Sequence, residues 1–147
     1  MKKLNIFGLS ILSLLIIIPL LFIMRLTQTD IQYKTVKISG TTMKAEVADT
    51  PLKRIEGLMS KKTLPDNQGM LFIFNEENYH GIWMMNMRFS IDILWINKDL
   101  EIVDIAEGVQ PCKINCPVYQ PDEKALYVLE VNAGFFKENK LQVGDTI

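Results

Sequence analysis

The sequence is poor in the residues that most metal sites and catalytic motifs require. Its 147 residues include two cysteines and one histidine. Two thiols and one imidazole are too few for a structural zinc site, which takes four such ligands. There is no glycine-rich phosphate loop, no nucleophile elbow and no paired-histidine metalloprotease helix. No motif implies a cofactor. Positive charge is not in excess either, with 16 Lys+Arg against 17 Asp+Glu. Lys2, Lys3 and Arg25 precede residue 31 with only Asp30 against them, so the remainder is more acidic still. Nucleic acid is therefore not an expected partner. Internal repeats are absent.

One long apolar run stands out. Residues 4–24 are 21 positions without a charge. As a helix they would span about 30 Å, the thickness of a bilayer's hydrocarbon core. We expect a single transmembrane anchor there, with residues 1–3 as a cytoplasmic stub, 25–34 as a linker and 35–147 as an extracytoplasmic domain. Lys2, Lys3 and the terminal amine outweigh Arg25, which favours a cytoplasmic N-terminus. The lipid bilayer is the first expected partner and the cell membrane the expected location. A cleaved signal peptide is one alternative, although its apolar region is usually only about 7–15 residues. A buried core helix is the other. No cysteine follows the run, which excludes lipid attachment there.

Beyond the linker the pattern is mostly that of strands. Residues 35–38 and 43–48 read as a pair joined at Ser39-Gly40; in the second, Met43, Ala45 and Val47 alternate with Lys44 and Glu46. A short helix follows, capped by Asp49 or Thr50, opened by Pro51 and carrying Leu52, Ile55, Leu58 and Met59 on one side. Gly57 inside it would cost about 1 kcal/mol against alanine; close approach of another backbone would explain it. A polar loop occupies 60–69. Residues 70–74 are apolar on both faces, as in a central strand. Further strands are expected at 79–87, 91–96, 101–106 and 125–131, with a long loop at 107–122. One or two helical turns at 133–140 and a closing strand at 141–147 complete the chain. Without βαβ alternation, this predicts a mainly β fold, a compact β-sandwich or partly open barrel with one or two short helices, preceded by the transmembrane helix.

Several segments in a fixed order carry a family likeness. They are "VADTPLKRIEGLMSKKTLPDNQGMLFIF", "WMMNMRFSIDILWIN", "PCKINCPVYQP", "ALYVLEVNAGF" and "VGDTI". Together they resemble the prokaryotic family known as domain of unknown function 192, over about residues 36–147. The resemblance implies a compact, mostly β domain, often placed after a signal or a single membrane anchor. It implies no reaction, ligand or catalytic residue. The family segment typically reads W-M-K-N-T where this chain has Trp83-Met84-Met85-Asn86-Met87, so the extra methionines are a feature of this sequence.

Those methionines sit in "YHGIWMMNM" with the lone histidine, His80. If residues 79–87 are extended, His80, Ile82, Met84 and Asn86 share one face, and Gly81, Trp83, Met85 and Met87 the other. Thioethers suit Cu(I), and Met85 with Met87 could handle it. They would lie about 7 Å apart along a strand, and His80 would point away from them. The other reading is core packing or a partly exposed apolar lip that includes Trp83.

Cys112 and Cys116 are expected to form a disulfide pinning the long loop, as suits an oxidising compartment; free thiols and a redox pair are the alternatives. Two carboxylates lie in apolar strands. Asp92 shares a face with Leu94 and Ile96, and Glu130 with Val128. A buried carboxylate left alone costs several kcal/mol, so each is expected to be paired or protonated. Arg54, the nearest candidate cation besides Arg88, could clamp helix to sheet through Asp92 or Glu130. Alternatively, Arg54, Asn86, Asp92, Tyr119 and Glu130 converge on a shallow polar pocket, with Trp83 at its lip. Such a pocket would bind a small polar ligand, a peptide or an envelope partner. If the two carboxyls approach within about 5–10 Å, hydrolysis of an envelope or carbohydrate substrate becomes the alternative. Binding without catalysis is the favoured expectation.

Overall fold

Ser39 and Gly40 have φ of 48° and 81°. Two successive positive φ values make the two-residue turn that matches the twist of antiparallel strands. It joins β1 (Tyr33–Ile38) to β2 (Thr41–Ala48), in register from Ile38↔Thr41 to Tyr33↔Glu46. This is a computed structural model, and it describes residues 13, 15–21 and 31–147. The expected stub at 1–3, and most of the expected anchor and linker, lie outside the described residues. Residues 15–21 are helical. Among the described residues no helix is long and apolar enough to cross a membrane. The chain divides after Ile31, and Gln32–Ile147 forms a unit of its own.

β2 leads into a helix, Pro51–Glu56. The Thr50 hydroxyl accepts from the Lys53 N–H at 3.3 Å, and Pro51 opens the first turn. Gly57 ends the helix rather than interrupting it. Its φ is 48°, and its N–H donates to the Lys53 carbonyl at 2.9 Å. A positive φ, not a neighbouring backbone, is what requires glycine there. The chain then returns as β3 (Gln68–Asn78), parallel to β2. This is a βαβ crossover, contrary to the expectation of none. The six-residue helix was expected; its connecting two parallel strands was not, because strand direction is set by pairing between β2 and β3 and not by the helix's own period.

The other strands are β4 (Ile82–Trp83), β5 (Ile91–Ile96), β6 (Ile102–Val109), β7 (Val118–Tyr119) and β8 (Ala125–Asn132). Six of the eight form one open mixed sheet in the order β1-β2-β3-β8-β5-β6. β4 and β7 pair separately as a two-stranded ribbon. The expected sandwich or barrel is thus corrected to one open sheet covered on both sides. The physical reason lies in β3, β5 and β8, whose apolar residues occupy both faces. All six residues of β5 are buried. One face packs Met70, Phe72, Ile93 and Trp95 against Leu58, Met84 and Met87. The other packs Leu71, Leu94, Ile96 and Leu129 against Phe135 and Leu141. Phe135 belongs to a helical turn, Phe135–Glu138. The expected closing strand is reduced to one bridge, Glu101↔Thr146.

The segment expected as a strand over 79–87 is extended only at Ile82–Trp83. Trp95, on the sheet, donates its Nε1 hydrogen to the His80 carbonyl at 2.7 Å. The His80 ring stacks on Phe74 with centroids 3.5 Å apart. At Asn86 φ is 56°, which reverses the chain. Met84 and Met87 are consequently both buried, while Met85 is half-buried. The shared strand face assumed for Met85 and Met87 does not form.

Candidate functional site

Register decides where the two carboxylates point. β5 and β8 are antiparallel, with Asp92 opposite Val131 and Ile93 opposite Glu130. Directly opposed residues share a face, and adjacent residues do not. Asp92 therefore points to the Leu94 face and Glu130 to the Ile93 face. The two-carboxylate hydrolase arrangement required both in one cleft, and the sheet separates them.

Asp92 is 1% exposed and fully engaged. One oxygen accepts from the Gly108 N–H at 2.8 Å. The other accepts from the Gly134 and Phe136 N–H groups, each at 3.0 Å. Gly108 (φ 57°) and Gly134 (φ 95°) take conformations that present those N–H groups. The carboxylate thus ties an irregularity in β6 and the start of the turn at Phe135 to the centre of the sheet. It is a structural fastening on a closed face.

Glu130 differs in every respect except burial. It is 4% exposed, and its Oε2 has no hydrogen-bond partner among the described residues. Its cross-strand neighbours are Met70 and Ile93, both apolar. Burial pushes the Glu130 carboxyl up from 4.5 to about 8, because desolvation penalises the charged form. At neutral pH it therefore holds its proton.

Glu130 also lines a cavity of about 410 Å³. The sheet supplies Phe72, Phe74 and Glu130. The crossover supplies Pro51, Arg54, Ile55, Glu56, Leu58 and Met59. The ribbon and the segment around it supply Gly81, Ile82, Trp83, Val118 and Met87. Gly81 is required by space: a Cβ there would lie 2.5 Å from Val118 Cγ1. The mouth is apolar as well, with Ile55 59%, Val118 57% and Trp83 42% exposed. The expected polar pocket is thus an apolar one with a single buried carboxyl.

Of the residues singled out from the sequence, Arg54, Trp83 and Glu130 meet in this pocket, and Asn86, Asp92 and Tyr119 do not line it. Arg54 does clamp helix to sheet, but not through a carboxylate. Its Nη1 donates to the Asp49 carbonyl at 2.8 Å and the Ile73 carbonyl at 2.9 Å. The guanidinium lies over the Phe74 ring, 5.0 Å from its centroid. Asn86 is exposed, and its N–H donates to the Cys112 carbonyl at 2.9 Å. Tyr119 is half-buried in β7, against the apolar cluster. The lining residues missed in the sequence are Phe72, Phe74, Met59 and Val118. Only tertiary contact gathers them.

Cys112 and Cys116 are disulfide-bonded, with Cα atoms 5.5 Å apart. The ring is pinned to the methionine segment, since the Cys112 N–H donates to the Met84 carbonyl at 3.0 Å. It leads directly into β7 and so holds a wall of the pocket. Among the described residues no group of three or more His, Cys, Asp or Glu is arranged to hold a metal ion.

Comparison with known proteins gives a consistent picture. The family model DUF192, described as "Uncharacterized ACR, COG1430", matches residues 34–147. A UPF0127 protein of Pyrococcus abyssi is 31% identical over 119 residues, covering 78% of this chain and 90% of that one. A UPF0127 protein of Thermococcus gammatolerans is 31% identical over 104 residues, covering 69% of this chain and 63% of its own, so under two thirds of that relative is spanned. A crystal structure from Sinorhizobium meliloti 1021, of a protein proposed to be a transcription regulator, aligns at TM-score 0.70 and 31% identity, covering 80% of this chain and 95% of that one. A protein of unknown function from Novosphingobium aromaticivorans aligns at TM-score 0.71 and 26% identity, covering 82% and 87%.

Proposed function

This chain belongs to the uncharacterised DUF192 family, and on that premise we propose that it acts by binding a small, mainly apolar molecule in the pocket over Glu130. One observation carries the reading. A buried polar atom is almost always hydrogen-bonded, and Glu130 Oε2 has no partner among the described residues. It lines a cavity within the size range of small-molecule sites, with mostly apolar walls and few polar groups. A buried carboxyl that costs stability is accounted for if a ligand completes its hydrogen bonding. The exposed apolar mouth at Ile55, Trp83 and Val118 supports the same reading.

The test uses N-phenylnaphthylamine, an uncharged apolar probe that brightens on leaving water. The purified protein is expected to take it up, and Val118→Trp or Ile55→Trp, which fill the mouth, to weaken uptake about tenfold. Both positions are exposed, so folding should be preserved. Undiminished uptake by both variants rejects the pocket as the site.

We also propose that the domain is held outside the cytoplasm by an anchor at residues 4–24. The uncharged run supports this, and so does the Cys112–Cys116 bond, which suits an oxidising compartment. Protease added to intact spheroplasts should digest the domain; digestion only after lysis defeats the placement.

A further inference from the structure

We infer that the ligand is uncharged and presents a hydrogen-bond-accepting oxygen, such as a ketone carbonyl, to the carboxyl O–H of Glu130. This rests on the pocket reading above and narrows it to a chemical class.

The charges around the pocket decide the matter. Glu130 faces Phe72 and Phe74 of β3, the ribbon with its flanks, and the crossover. Among the described residues only the crossover contributes further charged side chains, Arg54 and Glu56, and they are of opposite sign. No salt bridge joins Glu130 to either among the described residues. Arg54 is held by the Asp49 and Ile73 carbonyls instead. The pocket therefore has no net charge to attract an ion of either sign.

The floor carries no compensating charge either. An ionised carboxylate between Met70 and Ile93 would stand in an apolar surrounding without a partner. A protonated carboxyl is the form such a site holds, and it has one O–H to donate. What it lacks is an acceptor. A ligand oxygen brought to the Glu130 carboxyl supplies one, while its apolar body covers Phe72, Ile82 and Leu58.

A cationic ligand must lose its hydration, and Glu130 must lose its proton, before the two attract. An anionic ligand must also lose its hydration, and it meets a carboxyl that cannot neutralise it, while Arg54 and Glu56 offset one another. An uncharged acceptor incurs neither cost.

Three water-soluble probes of one shape separate the classes: benzylacetone, its amine counterpart and hydrocinnamate. Binding to the full chain is read from Trp83 fluorescence, with Trp83→Phe identifying the signal against buried Trp95. At about pH 6 benzylacetone should bind about tenfold tighter than either ion. Its affinity should fall as Glu130 ionises at higher pH. Glu130→Gln keeps an N–H donor, so it should retain benzylacetone and lose the pH dependence. Glu130→Leu removes the donor and should weaken binding about tenfold.

Tighter binding of the amine, abolished by Glu130→Gln, overturns the inference and leaves the pocket reading intact. Tighter binding of hydrocinnamate does the same. Uptake of N-phenylnaphthylamine with none of the three also overturns the inference alone. Failure of every probe overturns both.

Discussion

Asp92 and Glu130 lie on neighbouring strands of one sheet, 1% and 4% exposed, and their surroundings are opposite. Asp92 accepts three backbone N–H groups. Glu130 lines a cavity, and its Oε2 has no partner among the described residues. The difference teaches that burial alone does not classify a charged residue. One face of the sheet is closed around its carboxylate, which has become part of the backbone scaffold. The other face leaves its carboxyl protonated in apolar surroundings, and the proposed ligand is what would complete it.

The comparison can be broken most directly at Asp92. Asp92→Ala orphans three part-buried N–H donors and should cost about 3–5 kcal/mol in urea unfolding. A loss below about 1 kcal/mol would show that the closed face does not depend on it. Next in size is the disulfide. Opening so short a ring with Cys112→Ser and Cys116→Ser should cost about 2 kcal/mol. The loss should be local. Hydrogen exchange should quicken at Met84 to Asn86 and in the ribbon, and remain unchanged at Gly134 and Phe136. Equal quickening on both faces would remove the distinction between them.

Glu130 gives a pH signature of its own. Its carboxyl rises from 4.5 to about 8 on folding. The folded state therefore holds the proton more tightly, so the contribution is fully present below about 4.5 and is lost as pH climbs towards about 8. The steepest expected loss is about 1.4 kcal/mol per pH unit. Unfolding curves across that window should slope for the wild type, and the component should vanish in Glu130→Gln. A wild-type profile parallel to that of the variant would place the carboxyl in contact with water. The smallest effect belongs to Trp83. Trp83→Ala should alter stability by no more than about 0.5 kcal/mol, since the side chain is 42% exposed. Uptake of apolar probes should nevertheless fall, which separates the proposed binding role of Trp83 from a structural one.

Much of the local architecture was legible in the sequence. Ser39-Gly40 marked the first hairpin, and Thr50 with Pro51 marked the start of the helix. The apolar stretch at 70–74 was readable as part of a central strand, and β3 lies between β2 and β8. Alternation along single strands also placed Asp92 with Leu94 and Glu130 with Val128, as the register has them. The misreadings share a cause. The 79–87 segment looked extended because its residues favour strands, yet the reversal at Asn86 and the docking of the ribbon come from contacts distant in sequence. Arg54 was expected to seek a carboxylate, and backbone carbonyls lay nearer.

The sequence by itself determined the strands of the main sheet, the turn, the cap and the presence of two acidic residues in apolar surroundings. These follow from side-chain period, φ preference and hydrogen-bonding groups within a few residues. Only the tertiary structure decided that β2 and β3 run parallel, that the carboxylates face opposite ways, and that one has three partners while the other's Oε2 has none. Those outcomes depend on the register between strands up to dozens of residues apart, and register is set by how the whole sheet packs, not by any one stretch of it.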